Sequence, residues 1–290
     1  GDSFYSIINS LSEEGKIKGV PFIKLYVKVL GKNIDIKQGE YVIDKSVSLD
    51  ELIETLTNES SINIVKFTIP EGYTIEDIAE KLEREGICSK NDFLLAIKEY
   101  ELPSYVKIDS SKKYNLEGYL FPDTYLLKVG EKPKEILTKM VSRFEEMLKK
   151  ASEDTNTKIN SDDIETVVTI ASVIEKEARV DSERPLISSV IVNRLNDGMR
   201  LQIDATVIYA LGEHVETVLE KHLEVDSPYN TYINYGLPIG PISNPGLESI
   251  KAALKPEKTN YLFYVLQDEQ THYFTNSDVD FMNKLEELGY

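Results

Sequence analysis

The sequence predicts an α+β fold, in which small N-terminal βα units precede a mixed helical domain that ends in a β-hairpin. Three patterns indicate this class. Residues 65–69 alternate between apolar and polar side chains, as is typical of a strand, and helical patterns follow them. Residues 164–179 repeat apolar side chains at helical spacing. Near the C-terminus, residues 261–266 and 272–274 flank a turn, which predicts the hairpin.

The composition excludes several classes of protein. The chain has 290 residues, of which 41% are hydrophobic and 29% charged, as in ordinary globular proteins. Its formal net charge of −17 argues against nucleic acid and against a polybasic contact with anionic lipid, because both need a basic face. The single cysteine, Cys88, excludes an internal disulfide and paired-cysteine metal motifs. The three histidines lack metal-ligand spacing, so we predict no metal and no cofactor.

A polar, turn-rich segment at residues 102–115 marks the domain boundary that the sequence favours. We therefore predict an N-terminal region at residues 1–112 and a second domain at residues 113–290. No apolar run reaches the roughly 18 residues needed to span a bilayer, and no signal-peptide pattern is present. The chain begins with Gly1 instead of Met, so we expect that any anchor or targeting signal has been removed.

The first part of the N-terminal region contains three predicted elements. Residues 22–30 have the apolar character of a strand, and a short helix is the alternative. A second apolar run lies at residues 39–43, after a break at residues 31–33. A helix is predicted from Ser48 to about residue 57, since Ser48 is followed three residues later by a glutamate, which is the pattern of a capping box.

The second part contains a strand, a turn and two helices. The strand at residues 65–69 leads through a Pro-Glu-Gly-Tyr turn to a helix that Thr74 caps, and Ser89 begins the next helix. This order resembles a LysM-like module at about residues 62–100. LysM-like modules are small βα units associated with binding N-acetylated glycans, so the resemblance implies a glycan-binding module. A purely structural or docking domain is the alternative.

The pattern at residues 164–179 predicts a helix with one buried face and two glutamates at the edges of that face. At 100° per residue, Glu175 and Glu177 lie on opposite edges of the apolar stripe. A carboxyl group that is partly removed from water has a raised pKa, which suits a general acid. The alternative is an ordinary solvated helix end. Helical spacing does not choose between the two glutamates.

Three further clusters combine carboxylate, amide and aromatic side chains, which can hydrogen-bond to hydroxyl groups and stack on sugar rings. Glu117 and Asp123 are alternatively caps for backbone donors, Asp204 a helix cap and His272 an ordinary strand residue. The candidate binding residues are Glu117, Asp123 and Tyr125 in the first cluster, Asn193, Arg194, Gln202, Asp204 and Tyr209 in the second, and Ser227, Tyr229, Asn230 and Tyr232 in a third that is dense in Pro, Gly and Asn.

Between residues 116 and 274, a series of motifs resembles the YceG-like family of endolytic murein transglycosylases, in family order. The motifs are LEGYLFPDTY, IASVIEKEA, VNRL, RLQIDATVIYALG, SPYNTY, GLPIGPISNPG, SIKAALKP, YLFYV and HYF. Each motif is modest alone, and the ordered set is specific. Members of this family carry an N-terminal membrane helix, which this sequence lacks. The resemblance implies a single anchor in the bacterial cell membrane, a catalytic domain on the outer face, and cell-wall synthases as possible partners.

The resemblance also implies a reaction. The family cleaves the β-1,4 bond between N-acetylmuramic acid and N-acetylglucosamine in nascent peptidoglycan and leaves a 1,6-anhydromuramyl end without using water. One glutamate of the E-K-E motif is catalytic, and motif alignment places it at Glu177, with Glu175 as the alternative. The other function classes are a non-catalytic peptidoglycan-binding or scaffold protein and a muramidase-type hydrolase. A hydrolase needs a second carboxylate, for which Glu117, Asp123 and Asp204 are candidates.

Overall fold

The structure is a computed structural model, and it divides the chain into two compact units. The first unit comprises residues 1–67 and 124–131, and the second comprises residues 68–123 and 132–290. The predicted α+β class is confirmed, because helices combine with two small pairs of strands. The domain boundary near residue 112 stays a prediction. The residues that the structure describes are 4–13, 17, 19–30, 34, 47–57, 64–212, 215 and 218–289.

The described residues of the first unit form three helices and one pair of strands. Its helices pack around a small apolar cluster that includes Phe4, Ile8 and Leu56. Strand β1 is hydrogen-bonded to β2. The elements are α1 (Phe4–Glu13), α2 (Val20–Leu30), α3 (Leu49–Thr57), β1 (Ile64–Thr68) and β2 (Thr124–Lys128).

Two predictions for the first unit are tested by these elements. The strand interpretation of residues 22–30 is wrong, because this segment belongs to helix α2, which buries Val27 in the cluster. The capping box before α3 is confirmed: the Ser48 backbone N–H donates to Glu51 Oε2 at 2.8 Å, and the Glu51 N–H donates to Ser48 Oγ at 3.3 Å. The apolar run predicted at residues 39–43 lies outside the described residues.

The second unit contains the remaining helices and the C-terminal hairpin. Single 3₁₀ turns precede α7 and α8. The elements are α4 (Ile75–Arg84), α5 (Lys90–Glu99), α6 (Pro133–Thr155), α7 (Ile164–Glu177), α8 (Arg184–Asn196), α9 (Asp204–Leu211), α10 (Glu220–Leu223), α11 (Leu247–Leu254), β3 (Phe263–Leu266), β4 (His272–Thr275) and α12 (Asp278–Leu288).

The capped helices that the sequence predicts after residue 70 are present. Thr74 forms a capping box with Asp77 at the start of α4, and the Ser89 hydroxyl accepts the Asp92 N–H at the start of α5. Both interactions join residues three positions apart, so the local sequence is enough to specify them. The LysM-like resemblance of this segment stays a prediction.

Helix α7 lies at the centre of the second unit. Residues 168–174 are all buried, so the helix is covered on every side and not only on the one face that its apolar spacing predicts. Helices α8, α9 and α11 pack against it. Gly118 has a φ of +90° and lies so close to α7 that an added Cβ would be 2.7 Å from Val168 Cγ1. A residue with a side chain would therefore be strained there and would clash.

The C-terminal hairpin places a tyrosine opposite the end of α7. Strands β3 and β4 are antiparallel, with Tyr264 paired to Phe274 and Leu266 paired to His272, so the predicted hairpin is confirmed. The prediction that His272 is a strand residue is also confirmed; its ring Nδ1 is 2.7 Å from Glu183 Oε2. In the described part of the chain, no helix is long and apolar enough to cross a membrane.

Candidate active site

A cavity of about 580 Å³ lies in the second unit where α7 ends, which is within the usual size range of small-ligand clefts. The end of α7, the segment that enters α9, and the hairpin each supply part of its wall. Its lining residues are Lys176, Glu177, Arg179, Arg194, Leu201, Gln202, Ile203, Asp204, Tyr232, Tyr264, Val265, Leu266, His272, Phe281 and Leu285. Five residues of the predicted site are among them: Glu177, Arg194, Gln202, Asp204 and Tyr232.

Glu177 is the last residue of α7, and its half-buried carboxyl group faces this cavity. The Tyr264 hydroxyl donates a hydrogen bond to Glu177 Oε2 at 2.9 Å. Burial raises the pKa of Glu177 to about 7; the Tyr264 hydrogen bond and the positive charge of Arg179 oppose this rise, while the charge of Asp204 adds to it. Near neutral pH the group is therefore present in both its acidic and its basic form, as an acid–base catalyst requires.

Asp204 and Tyr232 form a second hydrogen-bonded pair in the cavity. The Tyr232 hydroxyl donates to Asp204 Oδ1, and burial together with the Asp204 charge raises the pKa of Tyr232. The prediction that Asp204 caps a helix is wrong. Ile203 is the N-cap of α9, and Asp204 is its first helical residue. Among the described residues, the Asp204 carboxylate accepts a hydrogen bond from Tyr232 and none from a backbone N–H. Its negative charge is still favourable there, because a helix N-terminus carries a partial positive charge.

Arg194 and Gln202 shape the wall between α8 and α9. Arg194 donates to the backbone oxygens of Leu262 at 2.6 Å and Leu201 at 2.8 Å, so its guanidinium ties the hairpin to the segment before α9. Burial lowers the pKa of Arg194. Gln202 adopts a left-handed φ of 53°, which is uncommon for a residue with a side chain, and its side chain is exposed. That conformation leaves the Gln202 amide at the cavity surface.

Glu175 faces a different environment from Glu177, although only one residue separates them. Its carboxylate accepts hydrogen bonds from the Gly246 N–H at 2.9 Å and the Ser249 hydroxyl at 2.8 Å. It also forms an ion pair with Arg184 at 3.2 Å, in which the two side chains are only 10% and 6% exposed. Glu175 therefore joins α7 to α8 and to the start of α11, and it is not among the residues that line the cavity.

Glu117 is buried in the interior of the second unit with 1% of its surface exposed. It accepts hydrogen bonds from the Ile75 N–H, the Tyr209 hydroxyl and the Asn244 amide at 2.9–3.1 Å. Burial raises its pKa to about 8, against the opposing hydrogen bonds. These contacts connect the first turn of α4, helix α9 and the loop before α11. Glu117 and Tyr209 therefore have a structural role, and their buried side chains offer no surface to a sugar.

The predicted residues of the 227–232 segment are also committed to internal contacts. Tyr229 is buried and packs edge-on against Tyr209, with ring centroids 4.8 Å apart. The Asn230 amide donates to two backbone oxygens, those of Leu223 at 2.8 Å and Val225 at 2.9 Å. Ser227 Oγ accepts the N–H of Tyr229 at 3.3 Å. These contacts hold an irregular loop in one conformation, and this places Tyr232 in the cavity.

Three predicted residues remain. The Asn193 amide donates to the backbone oxygen of Tyr261 at 2.9 Å and so fixes the chain that enters β3. Asp123 pairs with Arg143 at 2.7 Å. Tyr125 lies on β2 in the first unit and is 8% exposed. None of these three lines the cavity.

Two cavity residues whose side chains could take part in binding or catalysis were not among the candidates predicted from the sequence. Tyr264 appears in the sequence as one aromatic residue in a strand, and only the register of the hairpin shows that its hydroxyl reaches Glu177. Arg179 follows the E-K-E motif by two residues and reads there as an ordinary helix-end cation. Within the described residues, no group of three or more His, Cys, Asp or Glu side chains is placed to hold a metal ion.

Replacing Tyr264 by phenylalanine tests its influence on Glu177. The tyrosine hydroxyl stabilises the charged carboxylate, so its removal is expected to raise the pKa of Glu177 further. If catalysis requires the protonated form of Glu177, the loss of rate at alkaline pH should begin at a higher pH in the Tyr264→Phe variant. A pH–rate profile measures this shift of the alkaline limb. Tyr273→Phe, on the neighbouring strand and outside the cavity lining, is the matched control and should leave the limb in place. A pH–rate profile of Tyr264→Phe identical to that of wild type would contradict an effect of the Tyr264 hydroxyl on the pKa of Glu177.

The chain is similar to known proteins in both sequence and structure. The model of the YceG-like family matches residues 1–287. An endolytic murein transglycosylase of Bacillus subtilis (strain 168) is 35% identical over 289 residues, which cover 96% of this chain and 79% of that protein. One from Streptococcus pneumoniae serotype 2 (strain D39 / NCTC 7466) is 31% identical over 97% of this chain, which spans about half of that relative, 55% of its length.

A solved structure shares the fold. The crystal structure of a YceG-like protein from Listeria monocytogenes superposes with a TM-score of 0.68 at 36% sequence identity, covering 98% of this chain and 96% of the other. The match of the family model extends over nearly the whole sequence and includes every motif quoted above. The chain therefore belongs to the YceG-like family.

Proposed function

We propose that this protein is a lytic transglycosylase of peptidoglycan, in which Glu177 acts first as general acid and then as general base. The substrate would be the β-1,4 bond between N-acetylmuramic acid and N-acetylglucosamine in nascent strands, and the product a 1,6-anhydromuramyl end. The relatives from Bacillus subtilis and Streptococcus pneumoniae are both named endolytic murein transglycosylases, which supports the reaction class.

The observation that carries the residue assignment is the environment of Glu177. It combines a carboxyl group with a pKa of about 7, a tyrosine hydroxyl at 2.9 Å and a cavity large enough for a sugar. A general acid works best when its pKa is close to the working pH, since a useful fraction is then protonated and the group is still acidic enough to donate. Glu175 does not line the cavity and is bound in an ion pair with Arg184, so it is the weaker candidate.

The proposed reaction needs only one carboxyl group because the nucleophile belongs to the substrate. Protonated Glu177 donates its proton to the glycosidic oxygen as the bond from that oxygen to C1 of the muramic acid residue breaks. The oxygen of the 6-hydroxyl group then forms a bond with C1. The Glu177 carboxylate takes the hydroxyl proton, which restores the acid. Intramolecular attack reduces the entropic cost of the step.

Polar residues around Glu177 would hold the sugar during this reaction. Gln202 and the Asp204–Tyr232 pair present hydrogen-bonding groups on the same cavity as Glu177. Arg194 supports the wall through its bonds to backbone oxygens. The aromatic faces of Tyr232 and Tyr264 are suited to the apolar faces of sugar rings. The remaining residues predicted from sequence are not part of the proposed contact set.

One observation keeps a hydrolase as a second candidate function. Of the three carboxylates considered as activators of water, Asp204 alone lines the cavity with Glu177. A muramidase that used Asp204 as its second carboxylate would give reducing ends instead of anhydro ends.

The test is mass spectrometry of products from uncrosslinked nascent peptidoglycan incubated with the wild-type protein. Anhydromuramyl ends are the expected result. Reducing ends that disappear in Asp204→Asn would establish the hydrolase. Binding of strands without any cleavage would instead support a glycan-binding or scaffold protein.

A further inference from the structure

The charge of the cavity differs from that of the whole chain. The protein has 33 Lys and Arg residues against 50 Asp and Glu residues. The cavity lining instead contains three cationic side chains, Lys176, Arg179 and Arg194, against the two acidic residues Glu177 and Asp204. When Glu177 carries its proton, only Asp204 remains to balance the cations. A cationic cavity in an acidic protein favours a ligand that carries negative charge at this place.

The three cations are not equivalent. The Arg194 guanidinium donates hydrogen bonds to the backbone oxygens of Leu262, Arg200 and Leu201. Lys176 has a long hydrogen bond of 3.5 Å to the backbone oxygen of Gly72. Arg179 is exposed and, across the described part of the chain, makes no hydrogen bond or ion pair. Its full set of guanidinium donors is therefore available to a ligand.

The position of Arg179 places that guanidinium beside the acid. Helix α7 ends at Glu177, and Ala178 continues in an extended conformation with φ −69° and ψ 130°. Arg179 then lines the same cavity and acts on the charge of Glu177 through space. Guanidinium groups bind carboxylates in a planar, two-point arrangement, and such charge-assisted hydrogen bonds are about twice as strong as neutral ones.

The substrate class under the proposed function offers such a carboxylate. The sugar rings of a peptidoglycan strand are uncharged, and its negative charges lie on the branch that begins with the lactyl group at C3 of muramic acid. The reacting C1 belongs to the same ring. A charged group on this branch is therefore close to the reacting bond, and Arg179 is close to the proposed acid.

We propose that Arg179 is a specificity-determining residue that binds a carboxylate on the C3 branch of the muramic acid residue, and that the site prefers strands in which this carboxylate is free. The assignment rests on the proposed function. The carboxylate has two possible sources, the peptide part of the branch and the lactyl group itself, and the substrates used in the test separate them.

The test compares the wild-type protein with Arg179→Gln and Arg179→Lys on three substrates. These are strands with native peptides, the same strands with their peptide carboxylates amidated, and peptide-free strands that end in the lactyl carboxylate. Arg179→Gln is expected to raise KM for native strands about tenfold, which corresponds to roughly 1.4 kcal/mol and is close to the lower end of the range for a charge-assisted hydrogen bond. Arg179→Lys should recover part of this loss, because it restores the charge without the planar geometry.

The ratio between substrates makes this result specific. Removing Arg179 also alters the charge near Glu177, but that effect acts on every substrate and cancels in the ratio of native to amidated strands. Amidated strands should show only this common effect, so the loss on native strands should exceed the loss on amidated strands about tenfold. A tenfold larger effect on peptide-free strands than on amidated strands would assign the lactyl carboxylate as the source. An effect that is equal on native and amidated strands and no larger on peptide-free strands, or no effect on any strand, would overturn the proposal.

Binding measurements separate this proposal from the proposed reaction. Equilibrium binding of the three strands can be compared between Glu177→Gln and the double variant Glu177→Gln/Arg179→Gln, neither of which needs to turn over. Failure of the wild-type protein to cleave any strand would count against the transglycosylase, while the binding ratio would still decide the role of Arg179. Lys150→Gln, which removes an exposed cation of α6 outside the cavity lining, is the control and should leave all three affinities unchanged.

Discussion

Replacing Glu177 by glutamine is expected to abolish turnover while the protein keeps its fold. Glutamine has nearly the same shape, and its amide oxygen can still accept the hydrogen bond from Tyr264, but it cannot donate and recover a proton. The loss should be about a thousandfold or more, which is within the range for removal of a general acid–base catalyst. The measurement is the rate of product formation from uncrosslinked strands. Glu153→Gln, on an exposed position of α6, should retain wild-type activity. Retained activity in Glu177→Gln would contradict the assignment.

The same variant has an expected effect on stability that depends on pH. The pKa of Glu177 is about 7 in the folded protein, above its ordinary value of 4.5. Because this pKa is raised by folding, protonated Glu177 contributes its full share to the free energy of unfolding below the ordinary pKa. That contribution is lost as the pH rises through 7. Glutamine does not ionise. Glu177→Gln should therefore gain stability relative to wild type as the pH rises from 5 to 9, measured by thermal unfolding. A stability of Glu177→Gln that stays constant or falls relative to wild type over this range would contradict the raised pKa.

Replacing Glu175 by glutamine is expected to reduce stability far more than Glu177→Gln does. The change leaves the almost fully buried Arg184 with the exposed Asp181 at 2.9 Å as its ion-pair partner. Removing one member of a buried ion pair typically costs about 3–5 kcal/mol, and the remaining pair with Asp181 places the expected cost at the lower end of that range. Glutamine can keep only part of the hydrogen bonding to Gly246 and Ser249. Urea unfolding at pH 7 measures the effect.

The comparison between the two glutamates separates structure from chemistry. Glu175→Gln should lower the free energy of unfolding by about 3 kcal/mol, whereas the protein that remains folded should still cleave strands. Glu153→Gln is again the control, since its exposed ion pair contributes little to stability. A fully stable but inactive Glu175→Gln would exchange the proposed roles of the two residues.

Local interactions explain which parts of the fold could be predicted from sequence. The caps at Ser48, Thr74 and Ser89 each join residues three positions apart, so the sequence contains both partners in one short pattern. The hairpin likewise joins neighbouring segments. The segment at residues 22–30 was ambiguous because a short apolar run fits a strand or a helix until its packing partners are known.

Distant interactions explain why the site was predicted only in part. Glu175 and Glu177 are equivalent on a helical wheel, and they differ because one contacts Ser249 and the other Tyr264, each more than 70 positions away. Residue type alone also selected Glu117 and Asn230 as binding residues. Their buried positions depend on tertiary packing, which fills their hydrogen-bonding capacity with protein groups.

Titration of the Glu177 carboxyl group tests its assignment as the general acid most directly. Carbon-13 NMR of protein labelled at glutamate carboxyl carbons would identify its signal as the one missing from Glu177→Gln. We expect a midpoint near pH 7 that coincides with the alkaline limb of the pH–rate profile. A midpoint near the ordinary value of 4.5, with full activity at neutral pH, would contradict the claim that the fold maintains Glu177 as the acid.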